Sequence, residues 1–118
     1  MRVERDRQAN REAVIAEVIR GLLPVLDDLD RAEVHGDLTG GPMEMVAQKL
    51  RSAFERYGLA PVGEVGEDFD PAKHEAMVRL PEAGAEGETV ADVIEGGYIL
   101  GERLIRPAKV AVKVPADD

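Results

Sequence analysis

Few side chains in this chain could do chemistry. The histidines are His35 and His74. His35 lies in the glycine-rich stretch His35-Gly36-Asp37-Leu38-Thr39-Gly40-Gly41, where a solvated side chain is the simpler reading. His74 follows Asp70-Pro71-Ala72-Lys73 and precedes Glu75. Asp70, His74 and Glu75 offer the nitrogen and oxygen donors that a zinc ion takes. They also read as a turn capped by Asp70 with a hydrogen-bonded histidine, and this second reading is adopted, so no metal is expected. Asp27, Asp28 and Asp30 form one carboxylate cluster, and Glu64, Glu67 and Asp68 another. Paired carboxylates do acid and base work only where an environment splits their pKa values. A helix stripe and a polar loop supply no such pocket, so both clusters read as solvated faces. Gly96-Gly97-Tyr98-Ile99-Leu100-Gly101 has the glycines of a phosphate loop but neither a helix nor a lysine after it. Ser52, Thr39 and Thr89 stand in no nucleophile motif. The reading is of a binding or assembly protein, not an enzyme, with no cofactor.

The composition narrows the partners. The 118 residues carry a formal net charge of −9 and a pI near 4.7. That balance argues against nucleic acid, which requires Lys/Arg patches, and against an anionic membrane surface. The absence of cysteine excludes disulfides and thiolate chemistry and fits a reducing compartment. No apolar run approaches the roughly 20 residues of a membrane span. The opening MRVERDRQANRE lacks the apolar segment of a signal peptide. A cytoplasmic location is the expectation.

The elements that must carry any surface come in two kinds, giving an α+β chain. Residues 1–35 predict one long helix: Ile15, Ile19, Leu22, Leu26 and Leu29 recur at heptad spacing, with Val14, Val18, Leu23 and Val25 widening the stripe. Pro24 falls inside it, and a kinked single helix is preferred to two. Pro42 suits the first position of a second helix. Along it Met43, Val46, Leu50, Ala53 or Phe54, and Tyr57 share a face, and Gly58 takes the left-handed cap position. Two such hairpins from two chains would make a four-helix bundle. After Gly58 the helical period vanishes. Short apolar runs at residues 59–65, 76–80, 90–94, 98–105 and 109–114 predict a small antiparallel β-domain. In the last run Ala108, Val110, Val112 and Val114 alternate with Lys109, Ala111 and Lys113, a half-buried strand. Residues 115–118 read as a frayed tail. The division is thus 1–58, helical and dimerising, and 59–118, the β-domain.

From Phe69 onward the sequence resembles one known family. Phe69-Asp70-Pro71, His74 and Ala76-Met77 match the first part of the GrpE signature. After a spacer of 19 residues (78–96) come Gly97-Tyr98, Glu102, Ile105-Arg106, Ala108, Val110 and Val112, which complete it. Residues 22–32, with their internal proline, are similar to that family's bundle helix.

The resemblance implies a homodimeric co-chaperone of protein folding and the stress response. A paired, coiled-coil helix would lead to a four-helix bundle with lateral β-domains. One β-domain would bind the ATPase domain of a DnaK-type chaperone, hold its cleft open and release ADP, with no nucleotide bound by the factor itself. By position in the motif, Arg103, Ile94 and Val112 correspond to partner contacts. Val112 also reads as a core strand residue and Arg103 as a solvated one, while Arg106 either faces the partner or braces the β-domain. Leu22, Leu26, Leu29, Val46, Leu50 and Phe54 correspond to bundle positions at the dimer interface.

Only about 20 residues precede the leucine stripe, and a helix of 35 residues spans about 50 Å. The long stalk usual in the family is therefore short here, by truncation or by nature, and stalk functions such as thermal sensing are in doubt. Pro107 beside a strand suggests an edge or a bulge. Two competing readings are a dimerisation adaptor that binds some other protein through its β-domain, and a small metal-dependent hydrolase using His74, Asp70 and Glu75.

Overall fold

The computed structural model describes residues 2–116. The chain divides into two compact units, Met1–Tyr57 and Gly58–Asp118, a boundary one residue before the expected one.

In the first unit, α1 (Arg2–Val34) runs without interruption through Pro24. A proline cannot donate the hydrogen bond that the carbonyl four residues back would accept. Here both Pro24 and Arg20 are exposed, so water can take the freed carbonyl. Residues 35–41 turn the chain, and α2 (Pro42–Arg56) starts with its proline in the first turn, behind Gly41. Gly58 follows with φ +95°, the left-handed value expected of it. Across the hairpin, Arg51 Nη2 lies 2.9 Å from both Asp30 Oδ1 and Glu33 Oε2. Asp28 pairs with Arg31 one turn away on α1.

The buried stripe of α1 is rotated relative to the expected seam. Ala16, Ile19, Leu23 and Leu26 are buried, Ile15 and Leu29 are half-buried, and Leu22 is 40% exposed. Stepping 100° per residue, Val14, Val18, Leu22 and Val25 occupy a second apolar face, 40–59% exposed. Both faces satisfy a 3.5-residue period, so periodicity alone could not say which one the chain itself would cover. On α2, Ala47 and Phe54 are buried, Leu50 is half-buried, and Met43 and Val46 stand about half exposed.

The second unit holds six strands: β1 (Leu59–Val62), β2 (His74–Glu82), β3 (Thr89–Glu95), β4 (Gly97–Leu100), β5 (Arg103–Arg106) and β6 (Ala108–Pro115). They form two three-stranded sheets, ordered β1-β4-β5 and β2-β6-β3. The β-domain is not wholly antiparallel, as expected above: β2 and β6 pair in parallel. Side-chain alternation reports a strand's faces and not its direction, so the error was invisible in the pattern. The run 98–105 is two strands, divided at Gly101 with φ +60°.

β6 is central, and its alternation holds except at Ala111, which was expected on the outer face and is buried at 8% exposure. Ala108, Val110 and Val112 are 0% exposed and join Val62 and Val90 in the core, with Phe69, Ala76, Val93, Ile99, Leu104 and Val114 packed against it. Gly97 passes so close to β6 that an added Cβ would lie 2.5 Å from Ala108 N and 2.7 Å from Arg106 O. Beside Pro107 the expected bulge occurs. Tyr98 pairs with Arg106 and Ile99 with Leu104, leaving Ile105 as an extra residue in β5. The tail begins later than expected. Pro115 still belongs to β6 and the Ala116 N–H donates to Glu82 O at 3.2 Å, while residues 117 and 118 lie outside the described residues.

Candidate partner-binding surface

The turn that leads into β2 is built around His74, which is 5% exposed. Its Nδ1 accepts the Asp70 backbone N–H at 2.9 Å. That leaves Nε2 to donate to Glu67 Oε1, 2.8 Å away. Asp70 Oδ1 accepts the Ala72 N–H at 2.9 Å, an Asx-type turn, and Phe69 stacks on the imidazole at 5.8 Å. Both ring nitrogens and one Asp70 oxygen thus serve the turn. Among the described residues, no group of three or more potential metal ligands converges. Glu67 is held below the ordinary carboxylate range, chiefly by the Glu64 N–H that it accepts, with His74 and Lys73 adding to the effect and partial burial opposing it.

The residues singled out for partner contact do not share one environment. Ile94 is 54% exposed on β3. Val93 pairs with Val110 and Glu95 with Lys109, adjacent residues of β6, so Ile94 is the extra residue of a bulge. A bulge re-aims a side chain out of the pleat, which accounts for an isoleucine left in solvent. Arg103 is exposed where β5 begins, opposite Leu100 in the ladder. Val112 is corrected. It pairs with Val90 on one side and Arg79 on the other, is 0% exposed, and belongs to the core, where no partner can reach it.

Arg106 is half-buried. Its Nε donates to Gly96 O at 2.9 Å, its Nη1 lies 3.9 Å from Glu95 Oε1, and its guanidinium sits 5.4 Å from the centre of the Tyr98 ring. Lys109 Nζ lies 3.7 Å from the other oxygen of Glu95. Ile94 and Arg106 are therefore joined through the bend at Glu95-Gly96. Sequence reasoning missed Glu95 and Lys109, and had Tyr98 only as a signature position without a role. For Glu95 and Lys109 the only signal was register, and register needs the strand pairing.

The six expected interface positions also separate. Leu26 and Phe54 are already buried within the chain, Leu29 and Leu50 half-buried, and Leu22 and Val46 exposed at 40% and 52%.

The profile of the family described as GrpE matches residues 1–114. The chain belongs to the GrpE family. It is 52% identical over 116 residues to Protein GrpE of Leifsonia xyli, covering 98% of this chain and 52% of that protein. Protein GrpE of Tropheryma whipplei strain Twist is 49% identical over 97% of this chain and 61% of its own length. Protein GrpE of Streptomyces coelicolor is 45% identical over 97% of this chain and 50% of its own. The chain thus spans about half to three-fifths of the length of these GrpE relatives.

Most of the GrpE signature quoted above turns out to be architecture. Phe69, Asp70 and His74 build the turn before β2, Gly97 permits the close pass of β4, and Val110 and Val112 fill the core. No GrpE helix in the described residues is long and apolar enough to cross a membrane.

Proposed function

We propose that this protein is the exchange-factor core of a GrpE co-chaperone, acting in protein folding and the stress response. Its β unit binds the ATPase domain of a DnaK-type chaperone in the open conformation, and ADP leaves. The observation that carries the reading is membership of the GrpE family over almost the whole chain, joined to a well-packed β unit that presents Ile94 and Arg103 to solvent.

The mechanism is differential binding. A surface that fits only the open conformer shifts the partner's population toward it. Linkage makes the effect reciprocal: whatever factor this protein takes from ADP affinity, ADP takes from its own. ATP then refills the cleft and displaces the factor. A stiff surface suffices, with no bond broken, no nucleotide held by the factor and no metal or other cofactor. Arg103 supplies a planar fork for a carboxylate on the partner, and Ile94 an apolar anchor beside it in role.

Two copies of the chain assemble through the helical unit. Val14, Val18, Leu22 and Val25 on α1 and Met43, Met45 and Val46 on α2, all 40–61% exposed, supply the apolar surface for a four-helix bundle. The protein works in the cytoplasm.

The test is release of a fluorescent ADP preloaded on a DnaK-type ATPase domain. Added protein should weaken ADP retention by about 5–150-fold, the range of ordinary coupling free energies. Arg103→Ala should abolish most of that effect and leave the dimer intact. Unchanged release in the presence of a folded dimer would point instead to an adaptor that binds another protein.

A further inference from the structure

We propose that Arg106 is a positioning residue: it pins the β3–β4 bend so that the bulged Ile94 stays turned outward, and it acts on the partner through Ile94 alone. The inference rests on the reading above, in which Ile94 meets the ATPase domain.

The bend is short and weakly held by the ladder. Glu95 is the last residue of β3, Gly97 the first of β4, and Gly96 alone stands between the two sheets. Ile94, being the extra residue of the bulge, has no ladder partner of its own. A glycine two residues beyond an unpaired bulge residue leaves the backbone at the bend free to turn, and with it the direction of the bulged side chain. What removes that freedom comes from β5. The Nε of Arg106 donates a charge-assisted hydrogen bond to Gly96 O at 2.9 Å. The guanidinium plane is itself fixed by its place 5.4 Å from the Tyr98 ring centre, on the strand that leaves the bend. Glu95 is held from both sides, 3.9 Å from Arg106 and 3.7 Å from Lys109. These two ion pairs are long and partly exposed, so they contribute little. The Nε bond and the ring contact are the anchors. They combine a side-on Nε donor with a flat cation beside the ring, a geometry that lysine's terminal ammonium does not reproduce. The side chain of Arg106 is 19% exposed, and its Nε points into the bend.

Three variants of the full chain, Arg106→Ala, Arg106→Lys and Ile94→Ala, test this with backbone relaxation of residues 94–97 in the free protein and fluorescent-ADP release from a DnaK-type ATPase domain. In the native chain the order parameters of these amides should be near 0.85, and in both Arg106 variants they should fall to about 0.6 or below. Affinity for the ATPase domain should fall about tenfold in both. The double variant Arg106→Ala/Ile94→Ala should be no weaker than Ile94→Ala alone, because one residue acts through the other. Unchanged order parameters alongside weakened binding would overturn the proposal, since Arg106 would then touch the partner itself. Full affinity in Arg106→Lys would overturn it too, because charge alone would suffice. A loosened bend with Ile94→Ala binding normally would also overturn it, through the reading it rests on; the altered relaxation tells that failure from the others.

Discussion

In residues 58–116 the apolar side chains close a core of their own: Val90, Val110 and Val112 are at most 2% exposed, and β6, which carries two of them, has a strand on each side. Residues 2–57 behave differently. The helical hairpin buries Leu23, Leu26, Ala47 and Phe54, yet leaves Val14, Val18, Leu22 and Val25 on a second face of α1 in water. A sheet has only two faces, and when one is packed the other can be polar. A helix presents apolar residues all round if its sequence carries two stripes, and one neighbouring helix can cover only one of them. The contrast teaches that the β unit is finished as a module, whereas the helical unit keeps an apolar face of α1 in water, the face through which the proposed dimer would form.

The largest way to break that comparison is to damage the finished side. Val112→Asp places a charge where exposure is 0%, and it should unfold the β unit outright, at a cost above about 4 kcal/mol. Loss of dispersed amide resonances from residues 58–116, with the helical signal by circular dichroism largely kept, is the expected result. On the unfinished side Leu22→Asp should leave the β unit's resonances in place. It should weaken self-association by about 2–4 kcal/mol, read as monomers in sedimentation at concentrations where the native chain is dimeric. A native chain that sediments as a monomer would undo the contrast altogether.

Smaller effects sharpen it. His74→Ala removes the acceptor for the Asp70 N–H and the donor to Glu67, leaving a part-buried amide without its partner. It should cost about 1–3 kcal/mol in denaturant unfolding of the β unit alone. Arg51→Ala deletes the half-exposed pairs with Asp30 and Glu33, and should cost no more than about 1 kcal/mol in the helical unit, less still in high salt. The smallest effect concerns pH. The Glu67 carboxyl has a lowered pKa in the folded chain, so its contribution is present above the ordinary carboxylate range and is lost as pH falls through the lowered value. Glu67→Gln should therefore be less stable than the native chain at pH 7, with the difference shrinking as pH drops below roughly 4.

Much of the architecture was legible in the sequence because the responsible signals are local. The break at residues 35–41, Pro42 opening α2, Gly58 in a left-handed turn and the alternation from Ala108 to Val114 each depend on a residue and its near neighbours. The candidate surface was legible only in part. Arg103 and Ile94 came from family resemblance and are exposed. Val112 came the same way and is buried, because a motif position says nothing about which face of a central strand is covered twice.

By itself, then, the sequence determined that two helices precede a run of short strands, where the break between the helices falls, and most of the alternation along β6. These follow from backbone preferences and side-chain period, which act over a few residues. Only the tertiary structure decided that β2 runs parallel to β6, that α1 turns Ala16 and Leu23 inward and Leu22 outward, and that Arg106 reaches across ten residues of sequence to the carbonyl of Gly96. Each of these is a choice between arrangements that satisfy the same local pattern equally well. What separates them is burial and pairing with chain that is distant in sequence.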